Sequence, residues 1–147
     1  MRAPEPLPAL RVVAAPEVLD GLTPPDEHPV LRLAPDELLL IGAASVEVSG
    51  ENLVVYETGF VGWWLTPEEL REQVVPHVDW PLPAARPALA QGLVAGVPAK
   101  LWLAEDHALL LCPAAYAHEL QERLPRTSSS RPCSTSPGTS RRSRTTS

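Results

Sequence analysis

Proline sets the main limits on what this chain can fold into. The sequence has eighteen prolines in 147 residues, with seven in residues 1–29 and four between Pro76 and Pro87. Proline lacks a backbone N–H donor and disfavours helix in the residue before it. We therefore predict an extended, proline-rich arm over residues 1–29, whose short apolar run from Leu10 to Val13 pairs at most once, at a sheet edge.

Residues 30–124 have the pattern of one folded domain built mainly from short strands. A Pro35-Asp36 turn separates two apolar runs, and Ser49 to Asn52 supply the turn of a predicted hairpin. The runs after residue 87 follow one another through short connections, which predicts a three-stranded antiparallel meander. The predicted strands cover residues 30–33, 37–41, 46–48, 53–56, 60–65, 88–94, 99–103 and 108–112.

The sequence contains start signals for two helices. Thr66 and Glu69 have the spacing of a capping box around Pro67, so a helix is predicted from Thr66 until Pro76 stops it. Pro113 opens a second helix over residues 114–124, with apolar side chains at 3.6-residue spacing on one face. Together with the strands, these helices predict an α+β fold with a mainly antiparallel sheet and two helices on one face.

The last segment, residues 125–147, differs sharply in composition. From residue 127 onward it contains only Thr, Ser, Arg, Pro, Gly and Cys. Such a segment has no aliphatic or aromatic side chain whose burial would offset the entropy of ordering. We predict a disordered tail, which is either the natural end of the protein or the product of a shifted reading frame in GC-rich DNA.

The charge distribution argues against nucleic acid and anionic membranes as partners. Up to Arg123 the chain has eighteen acidic residues against seven basic ones, a net charge of −11, and the tail carries the other five arginines. Phosphate backbones are bound through clustered Lys and Arg, which the acidic body lacks. No apolar run reaches the roughly 18 residues that a membrane span requires.

The cysteines and the N-terminus favour a cytoplasmic protein. Cys112 ends an apolar run and Cys133 lies in the polar tail, a distribution unlike a disulfide framework. Residues 1–10 are proline-rich and acidic where a signal peptide has a basic start and an apolar stretch.

Few residues are candidates for chemistry. His77 and Asp79 are the only pair that a strand would place on one face as an acid/base or metal pair, and a loop role is the more frequent one. His118 and Glu122 have the spacing of a helical surface contact. Cys112 precedes a helix N-terminus, where a thiol pKa can fall, although a buried structural cysteine is the commoner case. The sequence thus predicts no catalytic residue, no metal site and no bound flavin or haem.

Trp63 and Trp64 are the candidate partner-binding residues. Adjacent residues of a strand point to opposite faces of the sheet, so one indole leaves the core unless both faces are covered. An aromatic ring on the outer face is either capped by a loop or used as an anchor for another protein.

Several segments resemble one family, the γ subunit of heterotetrameric sarcosine oxidase. Residues 33–40 resemble its hydrophobic, Pro-Asp-Glu, hydrophobic segment, and residues 55–61 resemble its strand and acidic turn, which a small helix follows. Residues 77–82 resemble the loop after that helix. Residues 91–98 and 109–112, with the Tyr116-Ala117 helix, resemble the closing unit. The resemblance covers residues 30–124.

The resemblance implies a fold like the folate-binding part of the glycine-cleavage T-protein, and an accessory role beside larger flavoprotein oxidase subunits in one-carbon metabolism. The chain lacks the Lys-Gly-Cys-Tyr-x-Gly-Gln-Glu motif of the folate proteins, and Cys112-Pro113 stands where their relatives have Asn-Ala. Two alternatives remain: a stand-alone folate-binding aminomethyltransferase-like protein, and a small protein-interaction module without a link to amine oxidation.

Overall fold

The computed structural model of the protein describes residues 2–22 and 28–124. The predicted tail, residues 125–147, lies outside the described residues. Within them the chain forms an α+β structure of antiparallel strands. In chain order the strands are β1 (Glu5–Pro6), β2 (Ala9–Ala14), β3 (Val30–Ala34), β4 (Glu37–Ile41), β5 (Asn52–Glu57), β6 (Phe60–Leu65), β7 (Ala88–Val94), β8 (Val97–Leu103) and β9 (Ala108–Pro113).

The strands form two sheets rather than the single sheet expected. One has five strands in the order β1-β6-β9-β8-β7, and the other has four in the order β3-β4-β2-β5. The predicted meander is present as β7, β8 and β9 in consecutive antiparallel pairs. Ala95 and Gly96 both have positive φ, 49° and 78°. They form the two-residue turn between β7 and β8, as hairpins of this length require.

The helices are short. Helix α1 is Pro16–Asp20, and helix α2, Pro67–Glu69, continues as a π-helical segment (Leu70–Val74) and a 3-10 turn (Val75–His77). A second 3-10 turn, Ala114–Tyr116, leads into helix α3, Ala117–Arg123. The predicted capping box is confirmed, because Thr66 Oγ1 accepts from the Glu69 amide at 3.1 Å and the Glu69 carboxylate accepts from the Thr66 amide at 3.0 Å.

The prediction of an N-terminal arm was wrong for the segment that contains Leu10 to Val13. Strand β2 lies inside the four-stranded sheet and pairs antiparallel with β4 on one side and β5 on the other. Leu10 and Val12 are fully buried there, and residues 16–20 form α1 in place of extended chain. The prolines flank β2 instead of interrupting it, so its backbone donors remain free to pair on both sides.

The predicted hairpin between residues 46–48 and 53–56 was also wrong. Residues 43–49 form no strand, and β5 pairs with β2, about forty residues earlier in the chain. Val46 and Val48 pack instead against the outer face of the four-stranded sheet, together with Leu19 of α1. Their alternation with charged residues therefore reflects a loop that covers a sheet face.

The two sheets and their coverings make four layers with three apolar clusters. A helix-side cluster lies between the five-stranded sheet and the two predicted helices, which share this face through Leu70, Val74, Leu120 and Leu124. An inter-sheet cluster lies between the two sheets, and an outer cluster lies beneath α1 and residues 43–48. Strand β9 is apolar at every position from Ala108 to Cys112 because both of its faces are covered.

Candidate functional site

Trp63 and Trp64 point to opposite faces of β6, as predicted, and both faces are covered. Trp63 is 3% exposed in the helix-side cluster, and its Nε1 donates to the Arg2 carbonyl at 2.7 Å. Trp64 is half-buried at the margin of the inter-sheet cluster. The ring centres of Trp64 and Trp102 lie 6.4 Å apart, with an angle of 89° between the ring planes. The centre of the His107 ring lies 5.6 Å from that of Trp64 and 5.4 Å from that of Trp102. Their role in partner binding stays a prediction.

The other residues singled out from the sequence lie apart from one another. His118 Nε2 lies 3.1 Å from Glu122 Oε1, and both side chains are well exposed, so this is the surface contact expected. His77 uses its carbonyl to accept from Ala95, and Asp79 is exposed. In residues 2–22 and 28–124, no three His, Cys, Asp or Glu side chains converge as a metal site would require.

Cys112 is completely buried in the helix-side cluster. Burial raises the pKa of its thiol from 9.0 to about 11, because the thiolate loses hydration in apolar surroundings. The preceding run of leucines explains this environment, since β9 is covered on both faces. Cys112 is therefore a structural residue, and the sequence-based preference for that role is supported.

We expect Cys112 to react with a disulfide reagent at pH 8 about 100-fold more slowly in the folded chain than in urea, since two pKa units remove that much thiolate. The measurement is the rate of thiol modification in a Cys133→Ser background, with Cys112→Ala as the control for background signal. Equal rates in the folded and unfolded chain would show that the thiol is accessible.

The largest exposed apolar feature of the described residues is strand β5. Leu53, Val54, Val55 and Tyr56 are consecutive, and they are 58%, 36%, 40% and 73% exposed. Strand β5 ends the four-stranded sheet, and within the described part of the chain it pairs only with β2. In the sequence these residues have the pattern of one strand of a hairpin, which does not mark them as an exposed surface. We call the outer side of Asn52–Glu57 the β5 edge.

The register of the sheet shows which backbone groups the β5 edge presents. The Ala14 amide donates to the Asp36 carbonyl, and the Gly42 amide donates to the Pro8 carbonyl. The even-numbered residues of β2 therefore direct their backbone groups toward β4. Alternate residues of an antiparallel strand bond to opposite sides. The odd-numbered residues of β2 therefore bond to Leu53, Val55 and Glu57 of β5. It follows that Asn52, Val54 and Tyr56 direct their N–H and C=O groups away from the sheet.

The β7 edge of the five-stranded sheet, in contrast, is protected. Strand β7 ends the five-stranded sheet, and Val78 forms an isolated bridge with Val94 across its outer side. Trp80 Nε1 also donates to the Leu93 carbonyl at 3.2 Å, and the Ala95 amide donates to the His77 carbonyl. Natural sheets commonly cover or charge their edges to prevent pairing with other chains. No strand of the described residues covers the β5 edge, and its own six residues include neither lysine nor proline.

A charged cluster lies where the two sheets meet beside β5. Arg11 of β2 binds the carboxylates of Glu37 and Glu57, the latter at 3.0 Å. Lys100 of β8 lies near this cluster, and its Nζ donates to Gln91 Oε1 at 3.0 Å. Burial lowers the pKa of Lys100, Arg11 lowers it further, and Glu37 opposes both. The sequence carries no sign of this cluster because its members come from four strands.

No protein-family model, curated protein or solved structure matches this chain. None of the described helices has the length and apolar character needed to cross a membrane.

Proposed function

We propose that this protein is a non-catalytic accessory subunit whose task is to bind another protein chain. The observation that carries the proposal is the β5 edge, which exposes four consecutive apolar side chains on an edge strand that no other strand of residues 2–22 and 28–124 covers. Exposed apolar patches of this kind mark protein interaction sites. An extended partner segment can add to such an edge as a new strand.

Strand addition would use both the backbone and the side chains of the β5 edge. The outward N–H and C=O groups of Asn52, Val54 and Tyr56 would form the ladder. Side chains of a partner strand would also pack on both faces of the sheet. They would cover part of Leu53 and Val55 on one face and part of Val54 and Tyr56 on the other. Pairing by backbone hydrogen bonds gives affinity, and the alternating side chains give specificity.

The partner that we propose is a larger flavoprotein subunit of a sarcosine-oxidase-like complex in the cytoplasm. The support for this choice is the resemblance of residues 33–40 and 55–61 to the γ subunit family, and these segments form the β3–β4 hairpin and the β5–β6 connection. The same resemblance supports a fold of the T-protein type. In this proposal the flavins and the oxidation belong to the larger subunits, and this chain binds no cofactor.

Leu53→Lys should abolish co-purification with the larger flavoprotein subunit, because a lysine on an edge strand opposes pairing with another strand. The side chain is 58% exposed, so the melting temperature should stay within a few degrees. The measurement is recovery of the co-expressed flavoprotein on the tagged chain. Leu93→Lys on the covered β7 edge is the matched control, since Leu93 is 55% exposed, and it should leave recovery unchanged.

Val54→Pro tests the backbone pairing separately. It removes a donor from the outward side of β5 and leaves the inward bonds of Leu53 and Val55 to β2 in place, a position where edge strands tolerate proline. Recovery of the flavoprotein should fall as it does for Leu53→Lys. Undiminished recovery with both variants would refute the β5 edge as the docking strand.

A further inference from the structure

Lys100 is the only lysine of the protein, beside eleven arginines. The two side chains differ chemically, because arginine stays charged in proteins whereas a partly buried lysine can lose its proton and act as a nucleophile. Every arginine of this protein is therefore a permanent cation. The one side-chain amine, that of Lys100, belongs to a residue that lines a cavity.

The geometry holds the amine of Lys100 in a defined place. Its Nζ lies 5.9 Å from the centre of the Phe60 ring and donates to Gln91 Oε1 at 3.0 Å. Gln91 is itself tied to the other sheet, since its Nε2 donates to the Leu33 carbonyl at 3.1 Å. An ammonium group has three donors, and Gln91 accepts one of them. Gln91 therefore orients the amine without enclosing it.

Lys100 is one of the residues that line an open cavity of about 290 Å³. Apart from Lys100 and Gln91, its walls are mostly apolar, and they include Phe60, Leu93, Pro98 and Pro113. The volume is near the lower end of small-molecule sites, which begin at roughly 300 Å³. The cavity can therefore take a small compound with an apolar body and a polar group directed at Lys100.

Burial and the nearby charge of Arg11 shift Lys100 toward its neutral form. Burial lowers the pKa of Lys100 below its ordinary value of 10.5, and the charge of Arg11 acts in the same direction. Glu37 acts in the opposite direction, but its carboxylate is bound to Arg11. A lysine with a lowered pKa has a larger fraction of free amine at neutral pH, which is the reactive form.

We propose that Lys100 is a nucleophilic amine that condenses with small carbonyl compounds entering the cavity beside Phe60. The lone pair of Nζ attacks the carbonyl carbon, a C–N bond forms and the carbonyl oxygen takes up a proton to give a carbinolamine. The proton taken up by the oxygen comes from the attacking nitrogen. The hydroxyl group then leaves as water with the second proton of that nitrogen, and an imine remains. No oxidant or reductant is required, and Gln91 serves as a positioning residue.

The test uses benzaldehyde with cyanoborohydride, which converts any imine to a stable secondary amine, on the full-length chain without a lysine-containing tag. Arg71→Lys supplies an exposed reference lysine in the same molecule, since Arg71 lies on the solvent side of its helix. At pH 7.5 we expect Lys100 to be modified faster than the lysine at position 71, because the lowered pKa of Lys100 leaves more of its amine unprotonated. Peptide mass spectrometry gives both rates.

Two further measurements separate reactivity from simple exposure. In urea the two lysines should react at the same rate, because the cavity no longer exists. In the folded chain, the pH at which the rate for Lys100 reaches half its maximum should lie below that for the reference lysine. If Lys100 reacts no faster than the reference in the folded chain, or if the advantage persists in urea, the proposal is wrong. Gln91→Ala should reduce the advantage while Lys100 remains modifiable.

Discussion

Trp63→Ala should lower the free energy of unfolding by about 3–5 kcal/mol, the usual cost of truncating a buried tryptophan. The Trp63 side chain is 3% exposed and packs among strands and helices in the helix-side cluster. Its loss would also leave the Arg2 carbonyl without the indole donor that now lies 2.7 Å away. Urea unfolding followed by circular dichroism measures the change.

Trp64→Ala is the matched control for this prediction. The Trp64 ring is half-buried, and the contacts it loses are those to Trp102 and His107, so we expect a loss of about 1–2 kcal/mol, within the ordinary range for substitutions. Recovery of the flavoprotein partner by this variant tests whether Trp64 contributes to binding. Equal destabilisation by the two substitutions would mean that both rings are core residues and would weaken the case for Trp64 as an anchor.

Gly62→Ala should destabilise the protein by about 1–3 kcal/mol or more, as overpacking of a filled core does. Gly62 lies in β6 between β1 and β9. A Cβ atom there would come within 2.4 Å of the Leu110 carbonyl oxygen and 2.6 Å of Leu7 Cδ1. The carbonyl belongs to the backbone of β9, so it can move away only if the sheet is distorted.

The comparison for Gly62 is Gly21→Ala at the end of α1. A Cβ at Gly21 would meet backbone atoms only at ordinary distances, 3.7 Å or more, and its φ of −89° suits alanine. That variant should be neutral or slightly stabilising, because alanine restricts the unfolded chain. The measurement is thermal unfolding of both variants. Equal shifts of the melting temperature would contradict the packing argument.

The β5 edge and the Lys100 site share one structural feature, the ion pairs of Arg11 with Glu37 and Glu57. Glu57 is the last residue of β5, and the charge of Arg11 lowers the pKa of Lys100. The two proposals are nevertheless separable by experiment. Leu53→Lys acts on docking and leaves Lys100 in place, whereas Lys100→Arg removes the amine and leaves the β5 edge unchanged.

Sequence alone determined the features that depend on neighbours a few residues apart. The capping box at Thr66 and Glu69 and the meander of β7 to β9 were predicted, because hydrogen bonds and short connections within a few residues determine them. The opposite orientation of Trp63 and Trp64 followed in the same way from the alternation of a strand. The continuous apolar run in β9 was also visible, although the sequence did not say what covers each face.

Only the tertiary structure decided which strands pair and which residues meet. The run Leu10 to Val13 fits an edge or an interior strand equally well, and its place between β4 and β5 depends on partners about thirty and forty residues away. The β5 edge exists because β5 pairs with β2 and not with residues 46–48. Lys100, Gln91, Phe60 and Arg11 come from four strands of two sheets, and their meeting depends on how the sheets stack, since contacts distant in sequence leave no local pattern to read.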